Sequence, residues 1–165
     1  MKKIVISMLI LLSLSSATYA DGLDNNEYIS RLNTNLGEMK LETDVKGGSL
    51  LKSMVYGVDD GYLKPEISKL EKVRDCLNGL VLNMENDVIE NKNLQLKHDE
   101  FISSSKLVVK LLDENINTKK EVLGSNSNGF IKIGKLLKTD NKETKEVNNN
   151  IEKINSIYKE INEKF

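Results

Sequence analysis

Residues 140–165 read DNKETKEVNNNIEKINSIYKEINEKF. Within them Val147, Ile151, Ile154, Tyr158, Ile161 and Phe165 succeed one another at steps of 4, 3, 4, 3 and 4, with Lys, Glu and Asn in between. On a helix those positions form one narrow apolar seam on an otherwise solvated surface. Thr139 or Asp140 is the expected N-cap. A helix of roughly 25 residues is only marginal alone in water. The seam must therefore be covered, either by the rest of its own domain or by a second copy of the chain, and self-association through the C-terminal helix is the alternative to internal burial.

The segments that precede the seam repeat the helical signature. Residues 124–129, Gly-Ser-Asn-Ser-Asn-Gly, are a linker of turn-tolerant residues with nothing a core can use, and a short helical piece over 130–138 follows. Before the linker, Asp99 is the expected cap of a long helix that buries Phe101, Leu107, Val108, Leu111, Leu112 and Ile116, while 91–98 lacks periodicity. Pro65 stands in the first turn of another helix, where its missing N–H is tolerated, followed by Ile67, Leu70, Val73, Leu77, Leu80, Val81, Met84 and Val88 at helical spacing. Ser49 is placed to cap a short helix carrying Leu50, Leu51, Met54 and Val55. The first segment has Tyr28, Ile29, Leu32, Leu36 and Met39 on one face. Sustained apolar and polar alternation is missing throughout, so the expected fold is all-α, an irregular bundle of about five helices forming one domain over 21–165.

The first twenty residues stand apart. Lys2 and Lys3, an apolar run over 4–14 and small residues ending Thr18-Tyr19-Ala20 predict a secretory signal peptide over 1–20, with the processed chain starting at Asp21. The run is too short to span roughly 30 Å of hydrocarbon, so no stable membrane span is expected. Removing 1–20 from 165 residues leaves 145, and the charge moves from −1 to −3 as Lys2 and Lys3 leave the 24 basic residues set against 25 acidic ones. The expected destination is the periplasm, or the cell exterior. Basic residues are dispersed among acids, which argues against nucleic-acid binding. Cys76 is the single cysteine, so the fold relies on apolar burial, and its apolar surroundings predict a buried structural thiol rather than an intermolecular disulfide.

Residues that carry chemistry are sparse. His98 is the only histidine and is expected to face solvent beside a helix start; one His and one distant Cys fall short of a metal ligand set. Ser103, Ser104 and Ser105 lie near it without a nucleophile-elbow pattern. Asp59-Asp60-Gly61 lacks the alternating oxygen ligands of a calcium loop, since Val58, Tyr62 and Leu63 fill ligand positions. Carboxylate pairs such as Glu85 with Asp87, or Asp113 with Glu114, read as solvated helix faces. These observations predict no catalytic residues, no metal site and no cofactor. One candidate surface remains: Tyr56, Asp59, Asp60 and Tyr62, an acidic and aromatic turn of the kind that anchors protein interfaces.

Two stretches, Tyr56-Gly57-Val58-Asp59-Asp60-Gly61-Tyr62 and Leu107-Val108-Val109-Lys110-Leu111-Leu112-Asp113-Glu114-Asn115, resemble elements of the Tai-type periplasmic immunity proteins. Those small exported helical proteins neutralise toxins delivered between bacteria. They usually carry paired cysteines near that turn, where this chain has Cys76 alone. The resemblance implies a non-catalytic, exported binding protein with a protein partner in the cell envelope. Two other classes suit the same features: a structural or assembly component of an envelope secretion or conjugation apparatus, and a periplasmic chaperone, which needs a broad apolar groove.

Overall fold

Residues 22–42 and 47–165 are described by a computed structural model. The expected signal peptide, 1–20, and the processing point before Asp21 lie outside the described residues, as do the side chains at 41, 42, 50, 51 and 137–144. The chain forms α1 (Asn25–Glu42), α2 (Leu50–Val58), a π-helical turn (Asp59–Leu63), α3 (Lys64–Met84), α4 (Lys92–Gly124) and α5 (Gly129–Lys164). It is the all-α bundle of about five helices that the periodicity predicts. None of the described helices is long and apolar enough to cross a membrane.

Each start has a chemical cause. Asp24 and Glu27 form a reciprocal capping box at α1: the Glu27 N–H donates to Asp24 Oδ1 at 2.9 Å and the Asp24 N–H to Glu27 Oε2 at 3.1 Å. Just before it, Gly22 at φ 83° lets Leu23 pair as a single parallel bridge with the α3–α4 connection, through Leu23 N–H to Val88 O at 2.7 Å and Glu90 N–H to Leu23 O at 3.1 Å. Ser49 does precede α2, but its hydroxyl makes no cap bond; its backbone N–H donates to Gly61 O at 3.1 Å instead. That carbonyl is available because Pro65, four residues on, has no N–H to offer it. The preceding turn widens accordingly, with the Lys64 N–H reaching back five residues to Asp59 O.

Three sequence expectations are corrected here. α4 starts at Lys92 and not after Asp99, because Asn91 Oδ1 accepts from the Asn93 and Leu94 N–H groups at 3.0 and 3.3 Å. α5 is a single helix from its Asn128 cap, which accepts from the Ile131 N–H at 3.1 Å, and it passes through 139–140 without a new start. α3 stops at Met84, so Val88 lies outside it and is exposed.

α4 is the central element, packing on α3 and on α5. α4 and α5, 33 and 36 residues long, rise about 50 and 54 Å and are joined by the four residues 125–128. The core unites Tyr28 and Leu32 of α1, Leu77, Leu80 and Met84 of α3, Leu94, Phe101, Val108 and Leu112 of α4, and the C-terminal seam. Val147, Ile154 and Ile161 of the seam are buried in this chain's own core, with Tyr158 and Phe165 packed against its edge; Ile151 faces out and Ile157, outside the predicted seam, is buried. Arg31 straps α1 to the end of α3, bonding Asp87 at 2.8 Å and the Asn83 carbonyl at 2.5 Å. At the far end a second small core joins Leu63, Val122 and Leu136. Cys76 is half-buried in a groove between α1 and α3 rather than enclosed in the core.

Candidate functional site

The acidic and aromatic turn sits at the end of the bundle where α2, the π-helical turn and the start of α5 meet. Two glycines shape it for different reasons. Gly57 adopts φ 80°, ψ 163°, a backbone state open to glycine, and so ends the regular part of α2. Gly61 is held by contact: a Cβ there would lie 2.5 Å from Ser53 N, so the peptide joining Lys52 and Ser53 rests directly on the π-helical turn. Gly48 has the same need against the Tyr62 carbonyl. α2 is thus locked backbone to backbone onto the turn, and the side chains it presents are held in place.

The four predicted surface residues divide. Asp59 turns inward, both carboxylate oxygens lying 2.9 Å from Lys132 Nζ of α5. That ammonium also donates to the Leu123 carbonyl at 3.1 Å, and its side chain is only 8 % exposed. Asp59 therefore compensates a nearly buried cation and fastens α5 to the turn. Tyr62 is half-buried against the second core. Asp60 points to solvent, 2.6 Å from Lys64 Nζ one turn later; their hydrogen bond raises the Lys64 pKa, and in full solvent such a pair adds little stability. Tyr56 is exposed.

The same end of the bundle exposes apolar residues that sequence reasoning did not assign to a surface. Met54 is 84 % exposed and Val55 75 %. Phe130 is 90 % exposed beside Ile131, also exposed, in the first turn of α5. Contact between Gly129 and Val58, with the Asp59 to Lys132 ion pair, brings that turn against the end of α2. One signal was available: Met54, Val55 and Tyr56 are consecutive, and at about 100° per residue they sweep about 200° of a helix, more than one buried face accommodates.

His98 is not the solvent-facing residue expected. It is buried, its Nδ1 3.2 Å from Tyr28 Oη, with the rings edge to face at a centroid distance of 5.4 Å. Burial lowers the His98 pKa and pushes the Tyr28 hydroxyl well above its usual range, so both are neutral near pH 7. Ser103 is exposed and donates to the Glu100 carbonyl at 3.0 Å, and the buried Ser105 Oγ has no partner among the described residues. No serine is thus engaged with the imidazole among the described residues. Comparison of the chain with protein-family models, with curated proteins and with solved structures returns no match.

Proposed function

We propose that this chain is an exported, non-catalytic binding protein that occludes a protein partner in the cell envelope, toxin neutralisation being the example its resemblance to Tai-type immunity proteins implies. The observation that carries the reading is the exposure of Met54, Val55, Tyr56, Phe130 and Ile131 at one end of the bundle. Exposed apolar side chains cost solubility, and where several adjoin on a rigid support they mark an interaction surface. Tyr56 and Phe130 are the aromatic anchors, residue types that dominate interface energetics when a partner desolvates them. Asp60 and Lys64 form a polar rim, and the glycine-locked seating of α2 lowers the ordering cost of binding.

The test is affinity capture from envelope extract with the chain and with Tyr56→Ser/Phe130→Ser, each first checked for an unchanged melting temperature. A stoichiometric partner kept by the original chain and lost by the variant supports the reading. Equal capture by both, or capture of nothing stoichiometric, overturns it.

A further inference from the structure

From Tyr62 of the π-helical turn, a cleft of about 530 Å³ runs between α3, α4 and α5. This lies within the range of about 300–1,000 Å³ typical of small-molecule sites. Its walls differ in character. Leu70 and Val73 of α3, Leu112 of α4 and Val147 of α5 supply an apolar side. Asn115, Lys69 and Lys145 supply a polar one, with the buried Lys119 one turn beyond Asn115.

Two details indicate what the cleft accepts. Asn115 is 4 % exposed, and its Oδ1 has no hydrogen-bond donor among the described residues. A buried acceptor without a donor is unfavourable, and a ligand N–H or O–H relieves that. Lys69 and Lys145 have no ion-pair partner among the described residues, and Glu66, the one acid among the described residues lining the cleft, accepts the Gly48 N–H at 2.9 Å. The polar wall therefore presents cations in excess, which draws an anion.

We propose that this cleft binds a small amphipathic anion of the N-acyl amino acid type. Its acyl chain lies along Leu70, Val73, Leu112 and Val147, its carboxylate between Lys69 and Lys145, and its amide N–H donates to Asn115 Oδ1. The three features of such a ligand, an apolar tail, an amide donor and an anion, each have a counterpart in the lining. The proposal does not depend on the apolar end of the bundle.

Calorimetric titration of the full chain with N-decanoylglycine tests it, with N-decanoylsarcosine, in which a methyl replaces the amide hydrogen, as the paired probe. The expected result is saturable one-to-one binding of N-decanoylglycine, about tenfold tighter than its N-methylated analogue, as the loss of one hydrogen bond to a buried acceptor implies. Lys69→Gln/Lys145→Gln weakens both ligands, and Asn115→Leu removes the difference between them. Tyr56→Ser/Phe130→Ser leaves the titration unchanged. Absence of saturable binding, equal affinity for the two probes, or loss of binding in Tyr56→Ser/Phe130→Ser overturns the assignment. The paired probes act on the unaltered chain, so the test stands even if Asn115→Leu fails to fold.

Discussion

Removing the Asp59 carboxylate is predicted to destabilise the fold more than removing the Lys132 ammonium. In Asp59→Ala the Lys132 side chain, 8 % exposed, keeps only its bond to the Leu123 carbonyl. Leaving a buried charge unpaired costs about 3–5 kcal/mol when the site is fully enclosed. The Asp59 side chain is 42 % exposed, so water reaches the vacated position and screening reduces the cost to about 1–3 kcal/mol. Lys132→Met instead places an apolar chain of similar length near Leu63, Val122 and Leu136 and releases Asp59 to solvent, which costs about 0–1 kcal/mol. For a chain of this size, each kcal/mol moves the melting temperature by about 2–4 °C. Far-ultraviolet circular dichroism should therefore find Asp59→Ala about 2–12 °C lower, Lys132→Met nearly unchanged, and the double variant close to Lys132→Met. Equal losses in the two single variants, or an Asp59→Ala melt identical to the original, would refute the claim that this carboxylate serves a buried cation.

Ile161→Ala is expected to lose about 2–5 kcal/mol in urea unfolding at an unchanged slope, because Ile161 is fully enclosed in the core shared by α1 and α5. Ser105→Ala should be neutral or slightly stabilising in the same assay, since it deletes a buried hydroxyl that has no partner. The burial-lowered pKa of His98 makes the unfolded chain bind more protons between the folded pKa and about 6.5, so its contribution to stability is complete above that range and is lost as pH falls through it. Urea midpoints measured from pH 7 to pH 5 should fall more steeply for the original chain than for His98→Phe. Tyr28 acts at the opposite limit: its raised pKa means that stability present below about pH 10 declines as pH rises further.

Where apolar periodicity is strong, the sequence is sufficient to locate helices, and it fails where the buried face is chemically mixed. The inner face of α4 runs through Leu94, His98, Phe101, Ser105, Val108, Leu112, Asn115 and Lys119. Four of these eight are polar, so a reading that scores apolar residues starts the helix late and puts Leu107, which is exposed, inside. His98 is enclosed because Tyr28, seventy residues away in sequence, provides a hydrogen bond, and no local pattern announces a partner so distant. The seam over 147–165 was legible because its step pattern is regular. The unbroken course of α5 through Thr139 and Asp140 was not, since both residue types favour caps without requiring them. At the candidate surface, sequence reasoning found the turn and two of its exposed side chains. It did not find that Asp59 is committed to Lys132, or that Phe130 and Ile131 are exposed at the same end of the bundle, because both facts depend on where α5 begins in space.

The first helix is closed over by the last. Asn25 reaches the Phe165 carbonyl at 3.5 Å and Asn33 accepts from the Tyr158 hydroxyl at 2.8 Å, across sequence separations of 140 and 125 residues. The α4–α5 hairpin, joined by a short loop, needs only neighbouring chain to form, whereas the contacts of α1 carry a large loop-closure entropy. A chain emerging from the ribosome therefore lays α1 on α3 and α4 first, through Arg31 with Asp87 and Tyr28 with His98, and gains its α5 contacts only when the final turns are released. Any lesion that removes those turns, a late stop codon or a carboxy-terminal protease cut, is felt at the opposite end of the sequence, where it uncovers the side of α1 that faces α5.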